Sequence, residues 1–137
     1  MYTAKRMTHP DLVTLFQALA DRTRLRLLHL LAAGDICVCY FVEILGESQP
    51  KISRHLGYLR RAGLVSARRE GKWMHYRLVR PADRAQAAVL DATLAALDDD
   101  RQAKRDRQML DRACCALRLP AALEHAPKPD LARPSAG

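Results

Sequence analysis

Ser48-Gln49-Pro50-Lys51-Ile52-Ser53-Arg54-His55-Leu56 is the stretch that decides how this chain folds. Ser48 suits a helix N-cap, and Pro50 falls in the first turn, where a missing N–H costs nothing. Ile52, Leu56 and Leu59 recur at i, i+4 and i+7 and make one apolar face. Gly63 closes the helix. Upstream, Val42, Ile44 and Leu45 belong to a short helix that Asp35 is placed to cap and Gly46 breaks. Two short helices joined by Gly46-Glu47-Ser48 form a helix-turn-helix pattern.

Before this pair, Leu12, Leu15, Phe16 and Leu19 mark a first helix from about Pro10 to Ala20. Asp21 can cap a second one, containing Leu25, Leu28 and Leu31, which Gly34 closes. After the pair, Leu64 to Arg69 and Trp73 to Val79 read as a hairpin turning at Glu70-Gly71-Lys72. Trp73, His75 and Arg77 face one way, and Met74, Tyr76 and Leu78 the other. A hairpin in that place is a wing. Pro81 opens a long helix whose Ala85, Val89, Ala92, Ala96 and Leu97 line a stripe of small residues, a candidate dimer seam. Beyond it, Asp98-Asp99-Asp100 and the basic run to Arg107 hold few apolar residues and predict a solvated rod. Pro120, Pro127, Pro129 and Pro134 predict a disordered end.

The chain of 137 residues suffices for one domain with a real core and a tail. Lys and Arg number 23 against 15 Asp and Glu, a net charge of +8, which favours a polyanionic partner. On the fourth helix, Gln49, Lys51, Ser53 and Arg54 have the chemistry for base edges. Ser48, Tyr58, Arg60 and Arg61 suit phosphate oxygens, with His55 flanking them. Arg68, Arg69 and Lys72 on the wing can reach the backbone or minor groove. The bland alternative is an ordinary solvated basic face, which the tight turn, the Ser-x-Pro start and the wing argue against.

Four cysteines fall in two close pairs, Cys37/Cys39 and Cys114/Cys115. No apolar run approaches the roughly 20 residues that span a bilayer, and Met1 to Pro10 lacks the apolar core of a signal peptide. The cytoplasm is the expected location, where thiols stay reduced and read as ligand or reactive groups. A thiol enzyme is disfavoured: there is no Cys-x-x-Cys beside a βαβ pattern and no Gly-rich phosphate loop. An architectural DNA binder and a purely structural role for Cys37 and Cys39 as small buried hydrophobes remain alternatives.

Several motifs resemble the ArsR/SmtB family of winged-helix repressors. They are Ala18-Leu19-Ala20-Asp21-Arg22-Thr23-Arg24-Leu25-Arg26-Leu27-Leu28, Asp35-Ile36-Cys37-Val38-Cys39, Ser48 to Leu56, and Ala62-Gly63-Leu64-Val65 through Arg69-Glu70-Gly71-Lys72-Trp73. The likeness covers about residues 10 to 97. It implies a homodimer that occupies double-stranded operator DNA and leaves when a metal or metalloid binds. Cys37-Val38-Cys39 is similar to the sulfur motif of the arsenite-responsive branch, usually written E-L-C-V-C-D-L-C. Here Asp35-Ile36 replace Glu-Leu, Tyr40-Phe41 replace Asp-Leu, and Val42 stands where the third cysteine would be.

The resemblance therefore implies As(III) or Sb(III) as inducer, held by Cys37 and Cys39. A third thiolate is expected from Cys114 or Cys115, of the same or the other subunit, because adjacent cysteines in a reduced tail suit capture of a soft ion. No organic cofactor, small organic substrate or membrane is expected. Cadmium, lead, zinc or thiol oxidation acting on the same cysteines is the alternative. The Asp/His zinc site that some relatives carry on the long helix is not expected, because Asp83, Asp91 and Asp98 have no histidine neighbour in the sequence. Two cysteines at i and i+2 on a regular helix point about 200° apart, so chelation is expected to unwind the first turn. The positive helix end is expected to lower the thiol pKa. The fold class expected is mainly α with a small β-hairpin, a winged helix-turn-helix dimerising through terminal helices. Its divisions are residues 1–97 for DNA binding and dimerisation, 98–119 for a helical extension, and 120–137 for the tail.

Overall fold

In the computed structural model, residues 11–115 and 123–131 are described, with Cys115 described by its backbone alone. Pro10, Pro120 and Pro134, and the side chain of Cys115, lie outside the described residues. The helices are α1 (Leu12–Leu19), α2 (Arg22–Leu31), α3 (Val38–Leu45), α4 (Gln49–Arg61), α5 (Arg84–Leu97) and α6 (Arg101–Cys115). The strands are β1 (Ile36–Cys37), β2 (Val65–Glu70) and β3 (Trp73–Leu78).

The capping expectations fix most helix starts. Asp11 Oδ1 accepts the Thr14 N–H at 2.8 Å, Asp21 Oδ1 that of Arg24 at 3.0 Å, and Ser48 Oγ that of Lys51 at 3.3 Å. Gly46 closes α3 at φ 69°, a left-handed value that a residue with a Cβ adopts only at a cost. Leu27, Leu28, Phe41, Ile52, Leu56 and Leu59 are fully buried and bind α2, α3 and α4 into one core. That apolar block sets the angle of the helix-turn-helix.

Three departures from expectation shape the site. First, Asp35 is not the cap of α3. The sheet has a third strand: β1 pairs antiparallel with β3, Ile36 opposite Tyr76 and Cys37 opposite His75, in the order β1-β3-β2. Extended pairing carries the chain to Cys37, which becomes the N-cap with φ −71° and ψ 141° and no side-chain capping bond. Second, Pro81 does not open α5. The helix starts at Arg84 behind Asp83, and Pro81 stays in the connection.

Third, the stretch after Asp98 is no solvated rod. The chain turns at residues 98–100, Asp100 Oδ2 accepts the Ala103 N–H at 2.9 Å, and α6 runs back against α2 and α3. Ala103, Asp106 and Leu110 are its buried face. Asp106 is wholly buried and takes both arms of Arg26, at 2.8 and 2.9 Å. Gln102 donates to the same carboxylate at 2.9 Å. The fork-to-fork pair explains how so polar a helix docks. Residues 123–131 also depart from the disordered end expected of them. Leu123 and Ala126 are buried in the core. The Asp130 carbonyl oxygen lies 2.5 Å from where a Cβ on Gly34 would sit, so only glycine admits the chain there.

The alanines of the α5 stripe face away from the core: Ala85, Ala92 and Ala96 are exposed, whereas Val89 is half-buried against the core and Gln86, Ala87 and Leu90 are buried. On α1, Leu15 and Leu19 are buried, but Leu12, Val13 and Phe16 are exposed. Among the described residues, no helix is long and apolar enough to cross a membrane.

Candidate nucleic-acid interface and thiol cluster

Helix α4 buries Ile52, Leu56 and Leu59 and turns its other side outward. Ser48, Gln49, Ser53, Arg54, Arg60 and Arg61 are exposed. Lys51, Ser53, Arg54, His55, Gly57, Tyr58 and Arg61, with Arg24 from α2, line a concavity of about 670 Å³. Gln49 and Arg60 are outside that lining. His55 points partly back, its Nδ1 3.8 Å from Asp21 Oδ1. Lys51 pairs with Glu47 at 3.1 Å. On the wing, Arg68, Arg69 and Lys72 are exposed, with Arg68 held by Glu70 at 2.8 Å and Lys72 Nζ 5.2 Å above the Trp73 ring.

Arg24 is the residue the sequence reading missed. Its guanidinium donates to the Ala18 and Gln17 carbonyls, both at 2.8 Å, and lies 4.1 Å from the Tyr58 ring centroid. It therefore satisfies two carbonyls at the end of α1 and fixes the Tyr58 ring on α4. Asp21-Arg22-Thr23-Arg24 offered a signal: a cap followed three residues later by an arginine at a helix start, opposite the α1 carboxyl end.

At the thiols, burial and backbone geometry act together. Cys37 is 1% exposed, and Cys39, one residue inside α3, is half-buried. Cys37 and Cys39 are close enough for each thiol to bear on the ionisation of the other, and the backbone N–H groups of Cys39 and Val38 lie on the Cys37 side. Cys37 sits before the helix and not in it, so the geometry of two positions i and i+2 on a regular helix does not describe this pair. Burial pushes the Cys37 thiol up to about 11, with a smaller rise from Cys39, while the two N–H groups oppose this. Desolvation thus outweighs the helix end, reversing the expected lowering.

Cys114 brings a third thiol from α6. It packs against the same core as Cys39, and α6 contacts α3. The Tyr40 phenol is held above its ordinary range by burial first, then by the proximity of Cys114, Cys37 and Cys39. Cys37, Cys39 and Cys114 carry thiols rather than disulfides. Among the described residues, no three His, Cys, Asp or Glu side chains are close enough to hold a metal ion as they stand.

Residues 21–67 match the family described as "Bacterial regulatory protein, arsR family". The arsenical resistance operon repressor of Escherichia coli strain K12 is 54% identical over 67 residues, covering 48% of this chain and 57% of that one. The arsenical resistance operon repressor of Staphylococcus aureus is 36% identical over 72 residues, covering 53% of this chain and 69% of that one. The chain belongs to the ArsR family. Among solved structures, the antimony-specific transcriptional repressor AntR superposes with a TM-score of 0.52 at 35% identity, covering 66% of this chain and 79% of that one. The chain spans little more than half the length of the first curated relatives it matches, 57%, 61% and 50%.

The ArsR-family match ends at residue 67. It holds the helix-turn-helix and the Cys37/Cys39 pair, but neither β3 nor α6. Cys114 and Asp106 lie outside the matched segment, whereas Arg26, the partner of Asp106, lies within it.

Proposed function

We propose that the chain is a metalloid-responsive transcriptional repressor. A homodimer binds operator DNA through α4 and the wing, and As(III) or Sb(III) captured by the cysteine thiols releases it. One observation carries this reading: Cys37 is the N-cap, and Cys39 the second residue, of the helix that packs against the proposed DNA-reading helix. The metalloid ligands named for the E. coli, S. aureus and AntR proteins support the choice of inducer.

Soft trivalent arsenic or antimony prefers three thiolates. Cys37 and Cys39 supply two, and Cys114 or its neighbour Cys115 the third. Each thiol gives its proton to a departing hydroxide, so As(OH)3 and three thiols yield the tris-thiolate and three waters. Closing this set draws the end of α6 toward the start of α3. Phe41 and Ile44 on α3 are packed with Ile52 and Leu56 on α4, so α3 does not shift alone. In a dimer, two copies of α4 must enter major grooves about 34–36 Å apart. A small tilt of each spoils that register. The exposed Leu12, Val13 and Phe16 on α1 and the small-residue stripe on α5 support a dimer face at the terminal helices. The proposed site of action is the cytoplasm, where the thiols stay reduced.

The test is anisotropy of a labelled palindromic operator, titrated with arsenite, antimonite, cadmium and zinc. Release by the two metalloids, lost in Cys37→Ser and Cys39→Ser variants that still bind DNA, is the expected result. Retention of the operator at saturating metalloid rejects it.

A further inference from the structure

The thiol cluster holds one polar group that the fold leaves unused. Tyr40 follows Cys39 in the first turn of α3 and is completely buried. Its hydroxyl is sealed from solvent and has no hydrogen-bond partner in the structure. A buried tyrosine hydroxyl normally finds an acceptor, because leaving it without one destabilises the fold. Packing alone does not call for the oxygen: Phe41, the next residue, is equally buried without one. Tyr40 also stands where the arsenite-branch sulfur motif carries Asp. Cys37 and Cys39 precede it at the start of α3, and Cys114 of α6 packs against the same core.

We propose that Tyr40 is a positioning residue of the metalloid site, its hydroxyl donating a hydrogen bond to a metalloid-bound thiolate sulfur. The inference rests on the thiol site proposed above and deepens it. A neutral thiol is a weak acceptor. A thiolate bound to arsenic or antimony carries more negative charge and accepts more strongly. The donor is unsatisfied in the empty protein and satisfied in the loaded one. A ligand shifts an equilibrium only by such a difference. Tyr40 thereby biases the chain toward the loaded state without entering the coordination shell.

Tyr40→Phe removes the oxygen and keeps the ring. In the full-length dimer without metalloid, the variant should melt about 3 °C higher, because an unsatisfied buried donor is gone. Operator affinity should be unchanged. The antimonite or arsenite concentration for half-release should rise about fivefold, the loss of one hydrogen bond to a charged acceptor. A purely structural role would not raise empty-state stability while weakening loading. Independently of any variant, titrating the wild type with antimonite should give a tyrosine difference spectrum that shifts to the red, absent in Tyr40→Phe. Equal half-release concentrations together with an unchanged difference spectrum would overturn the assignment of Tyr40. A wild type that antimonite and arsenite never release would instead overturn the regulator reading itself.

Discussion

The DNA-reading face and the thiol cluster lie on neighbouring helices yet differ in readiness. The proposed face on α4 is assembled: Lys51, Ser53, Arg54, His55, Tyr58 and Arg61 share one concavity, and Arg24 fixes the Tyr58 ring. The thiol set is not: among the described residues no three ligand side chains stand close enough together to hold a metal ion. Under the proposed function the empty chain is the form that holds DNA, and closing the thiol set is what moves it.

The sharpest test of this contrast is thiol chemistry. A cysteine kept neutral by burial reacts slowly, because the thiolate is the nucleophile. In a variant with Cys37 as its one cysteine, alkylation should accelerate about tenfold per pH unit through pH 10, and not level off near the ordinary thiol value of 9. That is roughly a thousandfold between pH 7 and pH 10. The sign carries over to stability. Below pH 9 the thiol is neutral in both folded and unfolded chains, and its contribution is fully present. Between pH 9 and about 11 the unfolded thiol ionises first, so stability falls. A rate plateau at or below pH 9 would mean that the cluster is as exposed as the reading face.

Next in size is the difference between the two cores. Leu56 is fully buried beneath α4, and Leu56→Ala should cost about 3 kcal/mol and remove DNA binding with the fold. Asp106→Ala should cost a similar 2–3 kcal/mol, since it leaves the mostly buried Arg26 without its carboxylate. Its consequence should differ: α6 loosens, DNA is still bound, and metalloid release is impaired. Denaturation midpoints and operator anisotropy on the same samples separate the two. Loss of DNA binding in Asp106→Ala would show that α6 also supports the reading face.

The same contrast explains what the sequence made legible. The reading helix announces itself, because its burial is apolar and periodic, with a cap, a proline and a glycine at the right places. Cys37 and Cys39 were legible as candidate ligands by type and spacing. Their geometry was not, because a two-residue strand has no periodicity to read, and Ile36-Cys37 is extended only through pairing with Tyr76 and His75. Helix α6 was misread for a similar reason. Its buried face includes an aspartate, whose burial depends on Arg26, 80 residues away. Local pattern carries no trace of a partner so distant. Leu123 and Ala126 were hidden behind prolines that speak for disorder unless a groove lies beneath them.

Within the reading face, Arg54 and Arg24 divide two roles. Arg54 is exposed on the outer side of α4, and Arg54→Ala should weaken operator binding by about 2 kcal/mol and relax preference at one base position. An unchanged operator preference would remove it from base reading.

Arg24→Ala should have the smallest effect, about 1 kcal/mol, and a different signature. The side chain holds the last carbonyls of α1 and stacks on Tyr58, so its loss frees a ring and two acceptors without removing a base contact. Operator and random DNA should weaken together, leaving their ratio unchanged. Arg24→Lys should recover only part of this, since an ammonium keeps the charge but cannot donate to both carbonyls while lying flat on the ring. If the ratio fell as it does for Arg54→Ala, Arg24 would itself touch a base. The preassembled face would then extend from α4 onto the start of α2.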